Sequence, residues 1–292
     1  MPSTPEPIGL IAAWGNYPLR IARSLKERGH RVIGIGLRQH ADESLRGLCD
    51  EYLEGSMTRF GDATAFLNSH GVKKAVLAGK VHKVNFFDGF NWWTDLPDWK
   101  TVRLFFPHFF SGTKDRKDDT LLLVVVEAFR EDGIELVPAT DYAPDLLVEP
   151  GLLTPTGLSE SEERDVAFGW ILAKEMGKLD VGQSVCIKGQ AVLAVEAVEG
   201  TDACIERAGG LSKQGAFTVV KVAKPQQDMR FDVPTVGPGT IQSLIQAKAR
   251  VLAIEAGRTI LLDPDEVIRL ATEHGISIVA RLDQAIANRA AA

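Results

Sequence analysis

The chain has 292 residues, of which 45% are apolar and 25% charged, and its net charge is −6. That is the composition of an ordinary globular protein, long enough for two domains. It speaks against nucleic acid as the main partner, because duplex binding needs a concentrated basic face.

Three cysteines (Cys49, Cys186 and Cys204) without C-x-x-C spacing exclude a disulfide framework and a thiolate zinc site. The six histidines never approach H-x-x-x-H spacing, which disfavours a His-based zinc centre. The first seven residues read as a disordered lead and not a signal peptide, since a basic n-region is missing. No apolar run reaches about eighteen residues, so no spanning helix is expected. These features together predict a reduced, soluble, cytoplasmic chain.

In chain order, Ile8–Ala13 reads as a strand, followed by an amphipathic helix to about Arg28, with Gly29 as its cap and Arg31–Leu37 as the next strand. This βαβ pattern implies a parallel sheet with a right-handed crossover. Glu51–Leu53 (strand), Ala63–Ser69 (helix) and Lys74–Ala78 (strand) extend it. The first βα turn holds only Ala13-x-Gly15, and the second strand runs into Arg38 and Gln39 with no acid. Both features disfavour a nicotinamide dinucleotide, which needs the full glycine fingerprint and a ribose-binding carboxylate.

Residues 79–110 are dense in aromatics: Phe86, Phe87, Phe90, Trp92, Trp93, Trp99 and the Leu104–Phe110 run. They lie beside Lys80, Lys83, Lys100, Arg103, Lys114, Arg116 and Lys117. Two readings stand, a helical lid packed on the sheet and an apolar surface for acyl chains or a membrane interface. A helix over Leu121–Phe129 ends at Gly133, and Ile134–Val137 is a strand. The Pro-rich 139–158 segment reads as a linker between an N-terminal domain (1–138) and a C-terminal domain (159–292).

Ser159 with Glu162 forms a capping-box pattern, and Val166, Trp170, Ala173 and Met176 continue an amphipathic helix to about Gly177. Ser184–Ile187 and Ala191–Val195 read as paired strands. Thr201 is expected to cap a helix carrying Ile205 and Arg207. Phe217–Val222 reads as a buried strand, Ile241–Ala249 as a helix, and Val251–Ile254 and Thr259–Leu262 as strands. Asp263 and Pro264 should start a helix, and Ser277–Ala280 is the last strand. The fold class is therefore α/β: two domains, the first doubly wound around a parallel sheet.

The most informative stretch is Lys221–Thr240, which places Lys221, Lys224 and Arg230 beside Asp228 and Asp232, with three prolines, just before a helix. Cations, carboxylates and a helix N-terminus are the parts that hold phosphate and a hard divalent metal. The alternative is a rigid loop with weak surface ion pairs. Gln190, Glu196, Glu199, Asp202 and Gln227 join the candidates, at strand ends and loop corners. Oxygen donors without His or Cys suit Mg²⁺ or Mn²⁺, and carboxylates beside cations suit phosphoryl chemistry. The absence of a G-x-x-x-x-G-K-[ST] loop and of a G-x-S-x-G elbow counts against a P-loop NTPase and an α/β-hydrolase.

The runs Ala13–Pro18, Ala78–Val81, Tyr142–Leu147, Gly189–Gln190, Ala194–Asp202 and Val222–Gly237 together resemble the LpxI family, the UDP-2,3-diacylglucosamine pyrophosphatases of lipid A biosynthesis. The resemblance implies metal-dependent hydrolysis of UDP-2,3-diacylglucosamine to UMP and 2,3-diacylglucosamine 1-phosphate, with water attacking the β-phosphorus. It implies a Rossmann-like N-terminal half, a family-specific α/β C-terminal half, and work at the cytoplasmic face of the inner membrane as a peripheral protein; it leaves room for a homodimer. Carried over, the family's essential aspartate matches Asp228, as a metal-binding or water-orienting group. Glu196 and Asp202 would complete a metal site or, with Glu199, position the sugar phosphate. Lys224, Gln227 and Arg230 would contact the pyrophosphate, while Gly15, Asn16, Lys80, Gln190, Gly200 and Thr201 would serve substrate binding. Ala13 departs from the Gly-x-Gly frequent in the family's first turn. A non-catalytic binder of a nucleotide or acylated sugar is the competing reading, and a nicotinamide oxidoreductase is the third.

Overall fold

The computed structural model describes residues 6–56, 58–79, 96–110 and 118–283. Lys80, Lys83, Lys114, Arg116, Lys117, the 86–93 aromatics and the start of the N-terminal lead lie outside the described residues. The chain forms two compact units, 1–144 together with 229–231, and 145–228 together with 232–292.

The first unit runs β1 (Pro7–Ala12), α1 (Tyr17–Glu27), β2 (Arg31–Leu37), β3 (Glu51–Gly55), α2 (Phe60–Ser69), β4 (Lys74–Ala78), α3 (Trp99–Phe110), α4 (Asp118–Glu131) and β5 (Glu135–Leu136). Its sheet has the order β3-β2-β1-β4-β5 and every pairing is parallel. The expected Rossmann-like half is thus observed, with β2 and β4 at the residues read from their apolar runs. Helix α1 buries Pro18, Ile21, Ala22 and Leu25, the stripe that 3.6-residue periodicity requires. Leu67 of α2 and Phe129 of α4 close a core over Ile33, Ile35, Ala75 and Leu136. Asp98 joins α2 to α3: one carboxylate oxygen accepts from Gly61 N at 2.6 Å, the other from Thr101 N at 2.7 Å. Trp99 beside it is 80% exposed, so at this position the aromatic side chain is not core.

The second unit contains β6 (Gly151–Leu152), α5 (Glu160–Lys178), β7 (Ser184–Lys188), β8 (Ala191–Val195), α6 (Thr201–Leu211), β9 (Thr218–Lys221), β10 (Thr235–Val236), α7 (Pro238–Gln246), β11 (Val251–Glu255), β12 (Ile260–Leu261), α8 (Pro264–Glu273) and β13 (Ser277–Arg281). Six strands order as β6-β13-β11-β9-β7-β8, with a parallel centre of β13, β11 and β9 and antiparallel flanks. Strand residues alternate between two covered faces. Val220, Ala253 and Val279 meet Val166, Trp170 and Ala173 of α5. Val219, Leu252 and Ile278 meet Ile205, Leu244 and Val267 of α6, α7 and α8. Burial on both faces explains why these strands read as unbroken apolar runs; each such side chain contributes about 1.5–3 kcal/mol.

Residues 139–158 are ordered by packing: Ala139, Ala143, Leu146 and Val148 are buried, and Gly151–Leu152 pairs with β13. Strand β12 covers only Ile260–Leu261 and pairs with β10 in a separate two-stranded sheet. The capping box at Ser159 forms as read, with Ser159 Oγ accepting from Glu162 N and Glu162 Oε2 accepting from Ser159 N at 2.7 Å. Two other caps differ from expectation. Asp263 precedes Pro264 of α8 but sits at φ 49° and makes no side-chain cap. Gly200, at φ 84°, is the N-cap of α6 in place of Thr201.

Candidate active-site loop

In the first unit the strand order reverses between β1 and β4, and an open α/β sheet binds ligands at the carboxyl ends of the strands flanking such a reversal. Ala13 N donates to Ala78 O at 2.8 Å, which knits the two strand ends together. Gly79 follows at φ 100°, and a Cβ there would lie 2.8 Å from the Ala13 carbonyl carbon and 2.9 Å from Trp14 O. Only glycine fits both the left-handed backbone and the close approach. Gly15, at φ 107°, and the exposed Asn16 form the turn into α1, and Trp14 beside them is 54% exposed. Asn16 is the N-cap residue but its side chain makes no cap hydrogen bond. Burial raises the Tyr17 phenol above its ordinary range, and its hydroxyl has no hydrogen-bond partner among the described residues.

The Lys221–Thr240 stretch leaves the carboxyl end of β9 in the second unit, to which it belongs except for 229–231. Lys221 is buried and its Nζ donates to Thr235 O at 2.9 Å, so this cation holds the loop's return. Gln227 is 9% exposed and fully engaged: Oε1 accepts from Lys224 N at 2.8 Å, while Nε2 donates to Asp232 O at 2.7 Å and to the Asp232 carboxylate. The amide therefore closes the loop on itself. Asp232 N donates to Asp228 O at 3.0 Å, forming a tight turn with half-buried Asp228 at its start. Lys224 Nζ donates to Asp180 Oδ1 at 2.6 Å, and the Arg230 guanidinium lies 6.0 Å from the centre of the Phe231 ring, at the limit of cation–π range.

A buried ion pair underlies this loop, and sequence reasoning missed it. Glu255, at the carboxyl end of β11, is 2% exposed. Its Oε2 accepts from Ala223 N at 2.7 Å, and both oxygens accept from Lys174 Nζ at 2.8 Å. Lys174 Nζ also donates to Ala223 O at 3.1 Å. Removing Lys174 strands the buried Glu255 carboxylate, a loss of about 3–5 kcal/mol. The signals were a lysine one turn beyond Trp170 on the apolar stripe of α5 and an acid ending the buried run Val251–Ile254.

The remaining candidates occupy other corners of this unit. Gln190, at φ 59°, sits in the β7–β8 turn, where Asp165, also missed, accepts from Gly189 N at 2.9 Å and from Gln190 N at 2.6 Å. Glu196 is 7% exposed; its Oε1 accepts from Thr201 Oγ1 at 3.0 Å and its Oε2 from Gln183 N at 3.3 Å. Thr201 thus bonds to a carboxylate and not to the α6 backbone. Glu199 pairs with Arg207 at 2.5 Å; backbone and Arg207 hydrogen bonds hold its carboxyl below the usual range. Asp202 lies exposed in the first turn of α6. No group of three or more His, Cys, Asp or Glu side chains able to hold a metal ion forms among the described residues. Asp228, Glu196 and Asp202 are therefore not gathered as one ligand set.

The N-terminal domain of the LpxI family matches residues 7–146, and its C-terminal domain matches residues 149–279. This chain belongs to the LpxI family. It is also similar to the UDP-2,3-diacylglucosamine pyrophosphatase LpxI of Caulobacter vibrioides, at 28% identity over 281 residues, spanning 93% of this chain and 96% of that protein. The two LpxI matches meet at 146–149, beside the division at 144/145 between the compact units.

Proposed function

We propose that this LpxI-family chain hydrolyses the pyrophosphate of UDP-2,3-diacylglucosamine, giving UMP and 2,3-diacylglucosamine 1-phosphate, a step of lipid A biosynthesis. The observation that carries this reading is the pair of LpxI domain matches, which together run from residue 7 to residue 279. In the reaction, water adds to the β-phosphorus and the bond from that phosphorus to the bridging oxygen breaks. The bridging oxygen leaves with UMP, the water oxygen stays on the sugar phosphate, and the water protons are released.

Asp228 is the residue we place at the reacting water, as its acceptor and orienting group. It stands at a turn fixed by Gln227 and Asp232. Lys224 and Arg230 are the cations proposed for the phosphate oxygens; Lys224 would exchange or share its Asp180 partner. Gly15 and Asn16 are proposed for the nucleotide, and Lys80 with them.

A metal site built wholly from Asp228, Glu196 and Asp202 does not fit the described residues. Mg²⁺ usually enters on one or two carboxylates plus substrate phosphates and keeps several waters. We therefore propose Mg²⁺ or Mn²⁺ as a cofactor that arrives with the pyrophosphate, where it would neutralise phosphate charge. No described helix is long and apolar enough to cross a membrane, and we propose peripheral action at the cytoplasmic face of the inner membrane.

The test is release of UMP from UDP-2,3-diacylglucosamine with Mg²⁺ and again with EDTA, run in ¹⁸O-water. Metal-dependent UMP with the label on the sugar phosphate is the expected result. Label on UMP would move the attack to the α-phosphorus. Binding without UMP under either condition would make the chain a carrier of its ligand.

A further inference from the structure

We propose that Lys174 and Glu255 are positioning residues for the Asp228 loop, acting through the backbone of Ala223. This rests on the hydrolase reading above, in which Asp228 meets the reacting water.

The geometry is a chain of contacts with no slack. Ala223 is fully buried, and both of its backbone polar groups are held: its N–H donates to Glu255 at 2.7 Å and its carbonyl accepts from Lys174 at 3.1 Å. The next residue continues the chain, since Lys224 N donates to Gln227 Oε1 at 2.8 Å and Gln227 N donates to Lys224 O at 2.9 Å. Gln227 then reaches Asp232 O, and Asp232 N reaches Asp228 O. Glu255 ends the central strand β11 and Lys174 projects from α5 across the sheet, so the loop is referenced to a central strand and to the long helix packed on it.

Asp283 closes the arrangement from outside. Its Oδ1 accepts from Trp170 Nε1 at 2.7 Å, and its Oδ2 lies 3.7 Å from Lys174 Nζ. Fixing one residue's N–H and carbonyl with a largely buried ion pair sets where the loop starts, and a catalytic group misplaced by about 1 Å loses on the order of a hundredfold in rate. A pair needed only for folding could sit anywhere in the core. Here Lys174 donates to, and Glu255 accepts from, the residue five positions before Asp228.

The test uses Glu255→Gln, Lys174→Met and the double variant in the full chain, with kcat and KM for UMP release and amide hydrogen exchange of the 223–232 segment against the 184–188 strand. Glu255→Gln keeps the shape but sets an NH₂ against either Ala223 N–H or the Lys174 ammonium, donor facing donor. The expected result is a kcat lower by on the order of tenfold to a hundredfold with KM nearly unchanged, and faster exchange in 223–232 only. In the double variant the cation is gone, so the amide oxygen introduced by Glu255→Gln is free to accept from Ala223 N–H. Part of the lost kcat then returns, a positive coupling between the two sites. If both single variants keep wild-type kcat per folded molecule, or if exchange in 223–232 is unchanged, the inference is overturned while the hydrolase reading stands. If wild-type chain releases no UMP, the hydrolase reading falls, and exchange alone decides the clamp: unchanged protection overturns it.

Discussion

The carboxyl edges of the two sheets are finished in opposite ways. In the first unit, the β1–β4 ladder is continued by an N–H to carbonyl bond from Ala13 to Ala78 and by a glycine, Gly79, whose missing Cβ lets the strand ends touch. In the second unit, β9 and β11 end under a buried lysine–glutamate pair that grips a side-chain-rich loop. Among the described residues, nothing lies within 4 Å of a Cβ built at Gly15, and Trp14 is exposed. The second fills its space with charges that are mutually satisfied. The nucleotide contact proposed for the first edge needs room for backbone approach, whereas the role proposed for Asp228 needs the atoms of its loop held. The roles proposed for the two edges follow this division between a permissive edge and a constrained one.

Four substitutions probe that contrast. The largest effect is expected from Asp228→Ala at the constrained edge: activity lower by about a hundredfold or more, with circular dichroism and melting temperature near wild type. Equal turnover in UMP release would remove Asp228 from the chemistry. Gly79→Ala strikes the permissive edge, where a side chain meets both a left-handed φ and the Ala13 backbone. A stability loss of about 1–3 kcal/mol is expected in urea unfolding, and an unchanged midpoint would show that the edge relaxes freely.

Ser159→Ala removes the cap of α5, the helix that carries Lys174. About 1 kcal/mol of stability should be lost, read as a lower melting temperature with kcat retained. A kcat loss without destabilisation would tie the cap to the loop directly. The smallest effect concerns Asp50, which accepts from Lys26 at 2.6 Å and from Val32 N at 2.7 Å. Burial raises its carboxyl, but these hydrogen bonds outweigh that and hold it below the usual range. A carboxyl depressed in the folded state stabilises above its unfolded value near pH ~4 and loses that contribution as pH falls through the folded one. Asp50→Asn should therefore flatten the acid limb of a stability–pH curve. An unchanged acid limb would show that Asp50 contributes nothing there.

Much of the architecture was legible because burial leaves a periodic trace. Arg31–Leu37 and Lys74–Ala78 read as strands to the residue, and Ser159 with Glu162 announced its cap, because each is a local pattern of a few residues. Caps that depend on the approach angle were not legible. Thr201 has the side chain of an N-cap, but Glu196 competes for its hydroxyl, and Asp263 is turned away by its left-handed backbone. The Lys221–Thr240 stretch stood out by its mixture of cations, acids and prolines, yet the use of each group did not follow. Lys221 and Gln227 hold the loop together, and Lys224 is paired to Asp180, 44 residues earlier.

Two α/β units, most of their strands and helices, and the loop that carries Asp228 follow from the order of residues alone, since period, propensity and turn residues act over short stretches of chain. Which charges meet is a property of the packed molecule. Lys174 and Glu255 are 81 residues apart, and the residue they grip lies between them in the chain. Their pairing exists because packing α5 across β9 and β11 brings both to Ala223. A buried charge must find a partner wherever the fold supplies one, and no local pattern says where that is.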